Sequence, residues 1–593
     1  MAESGGTIRQ PEQPPAVRIP APRLPAESGG QPLPSLPYLR PGQLSHLAAA
    51  APSGQGHADG GLLSASPARR NFLLGSGALG AALLAGGALG PARAATASRR
   101  TWLAGTDATP SKADWDALRR KLSTGRLYLP GQQGYDFAKE LFSPQWDRLR
   151  PAGVAYCKRD SDVAACIAFV VRFRMPVRAR SGGHSYGGWS SVTSGLILDI
   201  SEMNSMRFGP GTVTVGSGID LINFYSGLAA HGRAVPGGTC PTVGLAGLAL
   251  GGGVGVLGRR FGLTCDNIRS LDIVTADGVT RTCNSTTNPD LYWASKGGGG
   301  GNFGVATSFT FTTHDLRSIV LFSVSWPWSQ AARVVRGWQA WGPHAPDALW
   351  SELFLGGAFG GPPAVGVGGS FVGSIGGAKA ELDRLSHLVG PHGTVSVREY
   401  SYLDAMLRYA GCTQVHGCDT PPGGNLPRVP FFAKSDIFTR PLNTAGINAL
   451  LRGIERLHSV RGALHGAGSI SFDALGGAIN RVRPDATAFV HRNGLFLAQY
   501  YTSWQWPGSS GSVTNQREWL DALYQGVHPH ASGQAYQNYA DPTLRDWQQA
   551  YYGSNYGRLS HTKGQYDPHQ VFTFPQAIRP PAQAPCADAV PDC

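Results

Sequence analysis

Glycine, more than any other residue, limits what this chain can become. Its 593 residues include 81 glycines and 43 prolines. No three-residue period runs through them, so a collagen-type helix is excluded and the glycines must serve turns or close contact with a bound molecule. They gather in runs: "RARSGGHSYGGWS" from Arg178, "GLAGLALGGGVGVLG" from Gly244 and "KGGGGGNFGV" from Lys296. Backbone without side chains can lie against a ligand, and successive amides beside Arg178 and Arg180 suit an anion. His184, an imidazole amid these small residues, is thereby expected to sit against a phosphorylated molecule.

The length calls for two or three folding units plus tails. A formal charge of +13 is scattered rather than clustered, and no zinc-finger, RNA-recognition or basic-zipper pattern accompanies it, so a nucleic-acid partner is not expected. Residues 1–66 are rich in Pro, Ala, Gly and Ser, a composition that buries too little surface to offset ordering entropy. In residues 67–95, Arg69 and Arg70 precede Asn71, Phe72 and Leu73, an uncharged Gly/Ala/Leu stretch and Ala92-Arg93-Ala94. That order resembles a twin-arginine export signal cleaved near Ala94, implying the twin-arginine machinery as a partner and a periplasmic or extracellular address. Because that route moves folded proteins, it suits a chain loaded with its cofactor beforehand. No other stretch is apolar enough to span a bilayer. Nine cysteines are compatible with disulfides in an exported chain; Cys412 with Cys418 and Cys586 with Cys593 are local candidates. No Cys/His spacing suits zinc, and no metal is expected.

β-Branched runs such as "GLILDI" from Gly195, "TVTVGSG" from Thr212 and "SLDIVTADG" from Ser270 alternate with helical patterns such as "SDVAACIAFVVRFRM", which Ser161 can cap. The reading is α+β over 146–315, mixed strands and helices over 316–530 with a long helix around Ala378–Leu388, short helices and tyrosine-rich turns over 531–577, and a tail over 578–593. Gly253, Gly255 and Gly258 spell G-x-G-x-x-G with Asp277 beyond. No strand precedes this motif, so a nicotinamide cofactor is rejected.

"RARSGGHSYGGWS", "CPTVG" from Cys240, "GGGVG" from Gly251, "GLTCDN" from Gly262, "LYWASKGGGGGNFGV" from Leu291 and the stretch "YQNYADPTLRDWQQAYYGSNYGRLSHTKGQYDPHQVFTFP" from Tyr536 together resemble the berberine-bridge-enzyme-like oxidases of the vanillyl-alcohol-oxidase superfamily. The likeness runs from about Tyr135 to Pro575. It implies a two-part FAD-binding domain (146–315, completed by 531–577) and an α+β substrate domain (316–530) with a mixed or antiparallel sheet. It also implies FAD bonded twice, to His184 through the flavin C8 methyl carbon and to Cys240 through ring carbon 6, positions open to a neutral imidazole and a thiolate. The cradle it implies comprises Arg180, Ser181, Gly182, Gly183, Ser185, Val243, Gly244, Gly251, Gly253, Gly255, Asn302, Gly304 and Val305, with Asn555 at the flavin ring.

Alcohol oxidation needs a base for the hydroxyl proton. The resemblance places it at Tyr539, with Tyr536 as the alternative, Asp473 as its carboxylate partner and Tyr186 facing the substrate. Gln499 stands where alkaloid-cyclising relatives carry a glutamate base, which disfavours cyclisation. Val243 stands where small aliphatic side chains admit O2, favouring an oxidase that releases H2O2. Asp473, with aromatic residues Tyr402, Tyr500, Trp504 and Trp506, favours an oligosaccharide substrate oxidised at its reducing end. The alternatives are oxidation of a secondary-metabolite or aromatic alcohol, and a cell-envelope binding protein that keeps the fold without turnover.

Overall fold

The computed structural model describes residues 107–582, apart from 422, 461–465 and 509. The expected export signal, the Pro/Ala-rich lead and the Cys586–Cys593 pair lie outside the described residues. Among the described residues no helix is long and apolar enough to cross a membrane.

Strands β1 (Leu127–Tyr128), β2 (Gly153–Tyr156), β3 (Val177–Arg180) and β4 (Leu196–Asp199) form a sheet ordered β1-β2-β4-β3, in which β2 and β3 both run parallel to β4. All four residues of β2 and of β4 are buried, as a parallel sheet covered on both faces requires. The unit begins earlier than the expected 146. β1 pairs antiparallel with β2, and helix Lys112–Lys121 sets Trp115 against Phe169 of helix Asp160–Arg172 at 4.7 Å between ring centroids. That second helix is capped by Asp162 rather than by Ser161: the Asp162 carboxylate accepts from the backbone N–H of Lys158 (2.9 Å) and Arg159 (3.2 Å).

β5 (Met206–Gly209), β6 (Thr212–Gly216), β8 (Ile268–Val274), β9 (Thr280–Cys283) and β10 (Val305–Thr312) make a second, antiparallel sheet ordered β5-β6-β10-β8-β9, beside a ribbon of β7 (Arg233–Ala234) and β11 (His314–Asp315). The third sheet is antiparallel and seven-stranded, built from β12 (Ser318–Trp326), β13 (Leu349–Ala358), β14 (Ala364–Phe371), β15 (Val395–Ser401), β16 (Phe431–Phe438), β17 (Ala467–Ala474) and β18 (Phe496–Ser503) in the order β15-β12-β14-β13-β17-β18-β16. The architecture is α+β, as expected.

Period-2 alternation gives this sheet two different faces. Leu353 and Leu355 of β13, Ile470 and Phe472 of β17, and Ala498 and Tyr500 of β18 enter one core with helices Ala331–Trp341, Ile375–Val389 and Thr444–Glu455. The intervening residues, among them Trp350, Glu352, Asp473 and Gln499, face the other way, toward the first two sheets. Arg259 fixes that junction. It is 1% exposed and donates to the carbonyls of Leu349 (2.7 Å), Pro343 (2.9 Å), Leu475 and Ala345. Segment 535–579 closes the unit on the far side, where buried Lys563 donates to the carbonyls of Asn302 (2.5 Å) and Phe572 (2.6 Å) while paired with Asp567.

Candidate active site

His184 and Cys240 reach one groove because two loops touch backbone to backbone. A Cβ on Gly182 would strike the backbone of Gly244 and Thr242, and a Cβ on Gly244 would strike Gly182 and Ser181. Only glycine permits that approach. His184 stacks on Phe142 at 4.0 Å, and its Nε2 is 2.8 Å from the Thr242 hydroxyl. Burial holds the His184 pKa down to about 3, so the imidazole is neutral over the working range. Burial pushes the Cys240 thiol up to about 12, so the resting side chain is a thiol.

The groove continues past Gly299, Gly300 and Gly301. Gly299 and Gly301 have φ of +87° and +74°, and a Cβ on Gly247, Gly300 or Gly301 would meet no protein atom closer than 3.7 Å. Such a Cβ would fill the groove instead. The buried Nε of Arg178 has no partner and belongs to a side chain lining the same groove. An open glycine wall beside a guanidinium with one buried nitrogen unpaired fits the extended, diphosphate-bearing body of FAD.

A second chamber, about 250 Å³, adjoins the groove. Gly238, Thr239, Val254, Gln499 and Tyr539 line both spaces. Tyr539 therefore stands where a ligand in one meets a ligand in the other. Its ring stacks on Tyr186 at 5.4 Å and 7°, and the Tyr186 hydroxyl accepts from Gln499 Nε2 at 2.6 Å. Burial, with Asp473 and Tyr186 nearby, pushes the Tyr539 phenol well above its ordinary value. Tyr536, the alternative base, is engaged elsewhere: its hydroxyl accepts from the N–H of Gly253 (2.9 Å) and Val254 (3.3 Å) and from Asn538 Nδ2 (2.9 Å). It pins the 251–255 turn.

The structure brings together Ser181, Gly182, Gly183, His184, Ser185, Tyr186, Cys240, Val243, Gly244, Asn302, Gly304, Val305 and Tyr539 around the groove, and Asp473 in the second chamber. Several expectations need correction. Arg180 borders the groove, but its guanidinium is 5% exposed, paired with Asp199 and donating to the carbonyls of Ala138 and Glu140; Arg178 is the arginine left available. Gly251 and Gly253 line neither space, since their α-carbons pack against Asn538 and Thr264. Gly255 lines the second chamber only. Asn555 does not border the groove: its amide donates to the carbonyls of Pro484 (2.8 Å) and Thr487 (3.1 Å). Asn302 contributes by shaping its loop, donating to Gly298 O at 2.9 Å.

The four aromatic residues expected to favour a sugar do not line the second chamber. Tyr500 faces the helices and donates to Asp436 at 2.8 Å, Tyr402 and Trp504 are buried in packing, and Trp506 is 49% exposed away from the chamber. The chamber instead carries Phe322, Trp350, Tyr400 and Tyr409, with Arg408 stacked over Tyr400 at 4.2 Å. Sequence reasoning also missed Glu352, directly opposite Asp473 in the β13–β17 register. A single acid within the apolar strand "LWSELFLGG" was the available signal. Cys412–Cys418 is bonded as expected, whereas Cys157, Cys166, Cys265 and Cys283 are buried thiols. Among the described residues no group of three or more His, Cys, Asp or Glu could hold a metal ion.

Comparison with known proteins agrees with this geometry. Residues 151–284 match the FAD binding domain family, and 535–579 match the berberine and berberine-like family. An uncharacterized FAD-linked oxidoreductase of Bacillus subtilis, YgaK, is 32% identical over 471 residues, covering 77% of this chain and 97% of that protein. A xylooligosaccharide oxidase of Thermothelomyces thermophilus is 31% identical over 74% of this chain and 89% of its own length. The solved structure of the xylooligosaccharide oxidase from Myceliophthora thermophila C1 with xylobiose superposes with a TM-score of 0.69 at 27% identity, covering 79% of this chain and 100% of that one. Sequence families, full-length relatives and a shared fold converge on one assignment: this chain belongs to the berberine-bridge-enzyme-like FAD-linked oxidoreductases.

Proposed function

We propose that the protein is an exported oxidase that carries FAD on both His184 and Cys240 and converts the reducing-end hemiacetal of an oligosaccharide to a lactone, with O2 reduced to H2O2. The observation that carries this reading is the position of Tyr539 at the junction of the two spaces, with Asp473 opening into the second. The groove residues would hold FAD, which when bound would supply the hydride acceptor and a two-electron route to dioxygen. The protein handles the proton.

A phenol pushed above its ordinary pKa of about 10 is not a resting phenolate. The hydroxyl proton therefore moves to Tyr539 Oη as the phenol proton moves toward Asp473. Stacking on Tyr186, itself held by Gln499, fixes the ring for that exchange. Gln499 cannot accept a proton, which argues against cyclisation. The chamber wall mixes aromatic Phe322, Trp350 and Tyr400 with polar Ser323, Ser396 and Ser471, a lining suited to the apolar faces and hydroxyl edges of a sugar ring. The xylooligosaccharide oxidases among its relatives favour the same class.

The test is peroxide release from purified protein on a panel of xylo-, cello-, malto- and chito-oligosaccharides set beside aromatic alcohols. An oligosaccharide is expected to be the best substrate, and Tyr539→Phe is expected to slow anaerobic flavin reduction by roughly 10²-fold or more. Silence across the panel, or near-normal reduction in Tyr539→Phe, overturns the reading. Export is tested separately: the secreted form should begin just after Ala94.

A further inference from the structure

The inference concerns Glu352 and deepens the proposed oxidase reading, on which its catalytic part rests. Glu352 on β13 and Asp473 on β17 are register partners across an antiparallel pair, so their side chains leave the same face with Cβ atoms about 5 Å apart. Both line the chamber bounded by Tyr539. Among the described residues neither carboxyl is paired with a Lys or Arg.

Helix Tyr402–Ala410 offers Tyr409 and exposed Arg408, the latter stacked on Tyr400 of β15 at the chamber's mouth. β17 offers the Ser471 hydroxyl, β18 offers Gln499, and the C-terminal segment offers Tyr539. β12 and β14 contribute only uncharged lining, such as Ser323 and Gly368. None places a cation between the two acids.

Two carboxylates this close, with no cation between them, disfavour the state in which both are ionised. Burial raises both pKa values, and Glu352 adds to the rise at Asp473: Asp473 is pushed well above the usual carboxylate range, and Glu352 is raised despite a hydrogen bond from Ser471. The pair titrates as one unit.

We propose that Glu352 and Asp473 hold a single proton between them in the resting enzyme, so that the pair, rather than Asp473 alone, receives the proton relayed by Tyr539. In one turnover the substrate O–H proton goes to Tyr539 Oη, the phenol proton goes to the pair, and the C–H bond gives hydride to FAD as C=O forms. The pair passes from one proton to two and returns one to solvent before the next cycle. Glu352 acts through Asp473 and is a positioning residue.

The test is infrared difference spectroscopy of the FAD-loaded enzyme without substrate, wild type against E352Q and D473N near neutral pH. A protonated-carboxyl band that shifts in D2O is expected in the wild type and displaced in frequency in each single variant, because the remaining acid no longer shares its proton with a neighbouring carboxylate. E352D is expected to restore the wild-type frequency. No such band in the wild type, or a band whose frequency is unmoved in either single variant, overturns the shared proton. In anaerobic single turnover, E352Q is expected to reduce its flavin at least about tenfold more slowly with substrate affinity within about twofold; an unchanged rate overturns the relay to the pair. Since the band is read without substrate, its outcome is independent of the peroxide panel, and either idea can fail while the other stands.

Discussion

At the scale of single residues, the two expected attachment points differ in readiness. His184 is neutral above about pH 4, because burial holds its pKa near 3, whereas Cys240 is mostly protonated until the pH nears 12. Free protein reconstituted with FAD should show the contrast. In a Cys240→Ala variant, histidyl attachment is expected to proceed at a rate independent of pH from about 6 to about 9. In a His184→Ala variant, cysteinyl attachment is expected to accelerate as pH rises, close to tenfold per unit, because the thiolate fraction grows in that proportion well below the pKa. Mass spectrometry of the flavin-bearing peptides over time checks both. A pH-independent cysteinyl rate would mean that a local base, not bulk hydroxide, removes the thiol proton.

At the scale of elements, the sheet junctions carry testable energy. Arg259→Met keeps the length of the side chain but strips the donors from buried carbonyls, each costing about 1–3 kcal/mol when left unsatisfied. The variant is expected to unfold several degrees earlier in a thermal scan. A second case is Asp436 on β16, which is fully buried and accepts from Tyr500 and, at 2.7 Å, from His528. The hydrogen bond to Asp436 raises the His528 pKa. The sign follows from a raised folded-state pKa: the stabilisation is complete below the unfolded value of about 6.5 and fades as pH climbs through the folded one. His528→Gln is therefore expected to lower the melting temperature more at about pH 5 than at about pH 9. An equal loss at both would remove the charge from the explanation. Because His528 is partly exposed, solvent screens the pair and the effect is modest.

At the scale of the whole molecule, sequence carried the glycine runs and the His and Cys motifs well, because a groove for an extended cofactor is written locally as small residues at fixed spacing. β4, β6 and β8 were legible from β-branched runs for the same reason. The substrate wall was not. Tyr500 and Gln499 are adjacent in sequence yet lie on opposite faces of β18, and no single strand reveals which face meets the cofactor. Glu352 and Asp473 are more than a hundred residues apart and become neighbours only through the β13–β17 register. Arg178 and Arg180 are equally suited to an anion on spacing alone; that Arg180 is committed to Asp199 on the parallel strand β4 is a contact that spacing does not disclose. The loops bearing His184 and Cys240 meet backbone to backbone, and peptide mapping of the active, FAD-loaded enzyme by mass spectrometry tests most directly the proposed attachment of both to one flavin. The account predicts a single flavin joining the peptide that contains His184 to the peptide that contains Cys240; recovery of both peptides unmodified from fully active protein would contradict it.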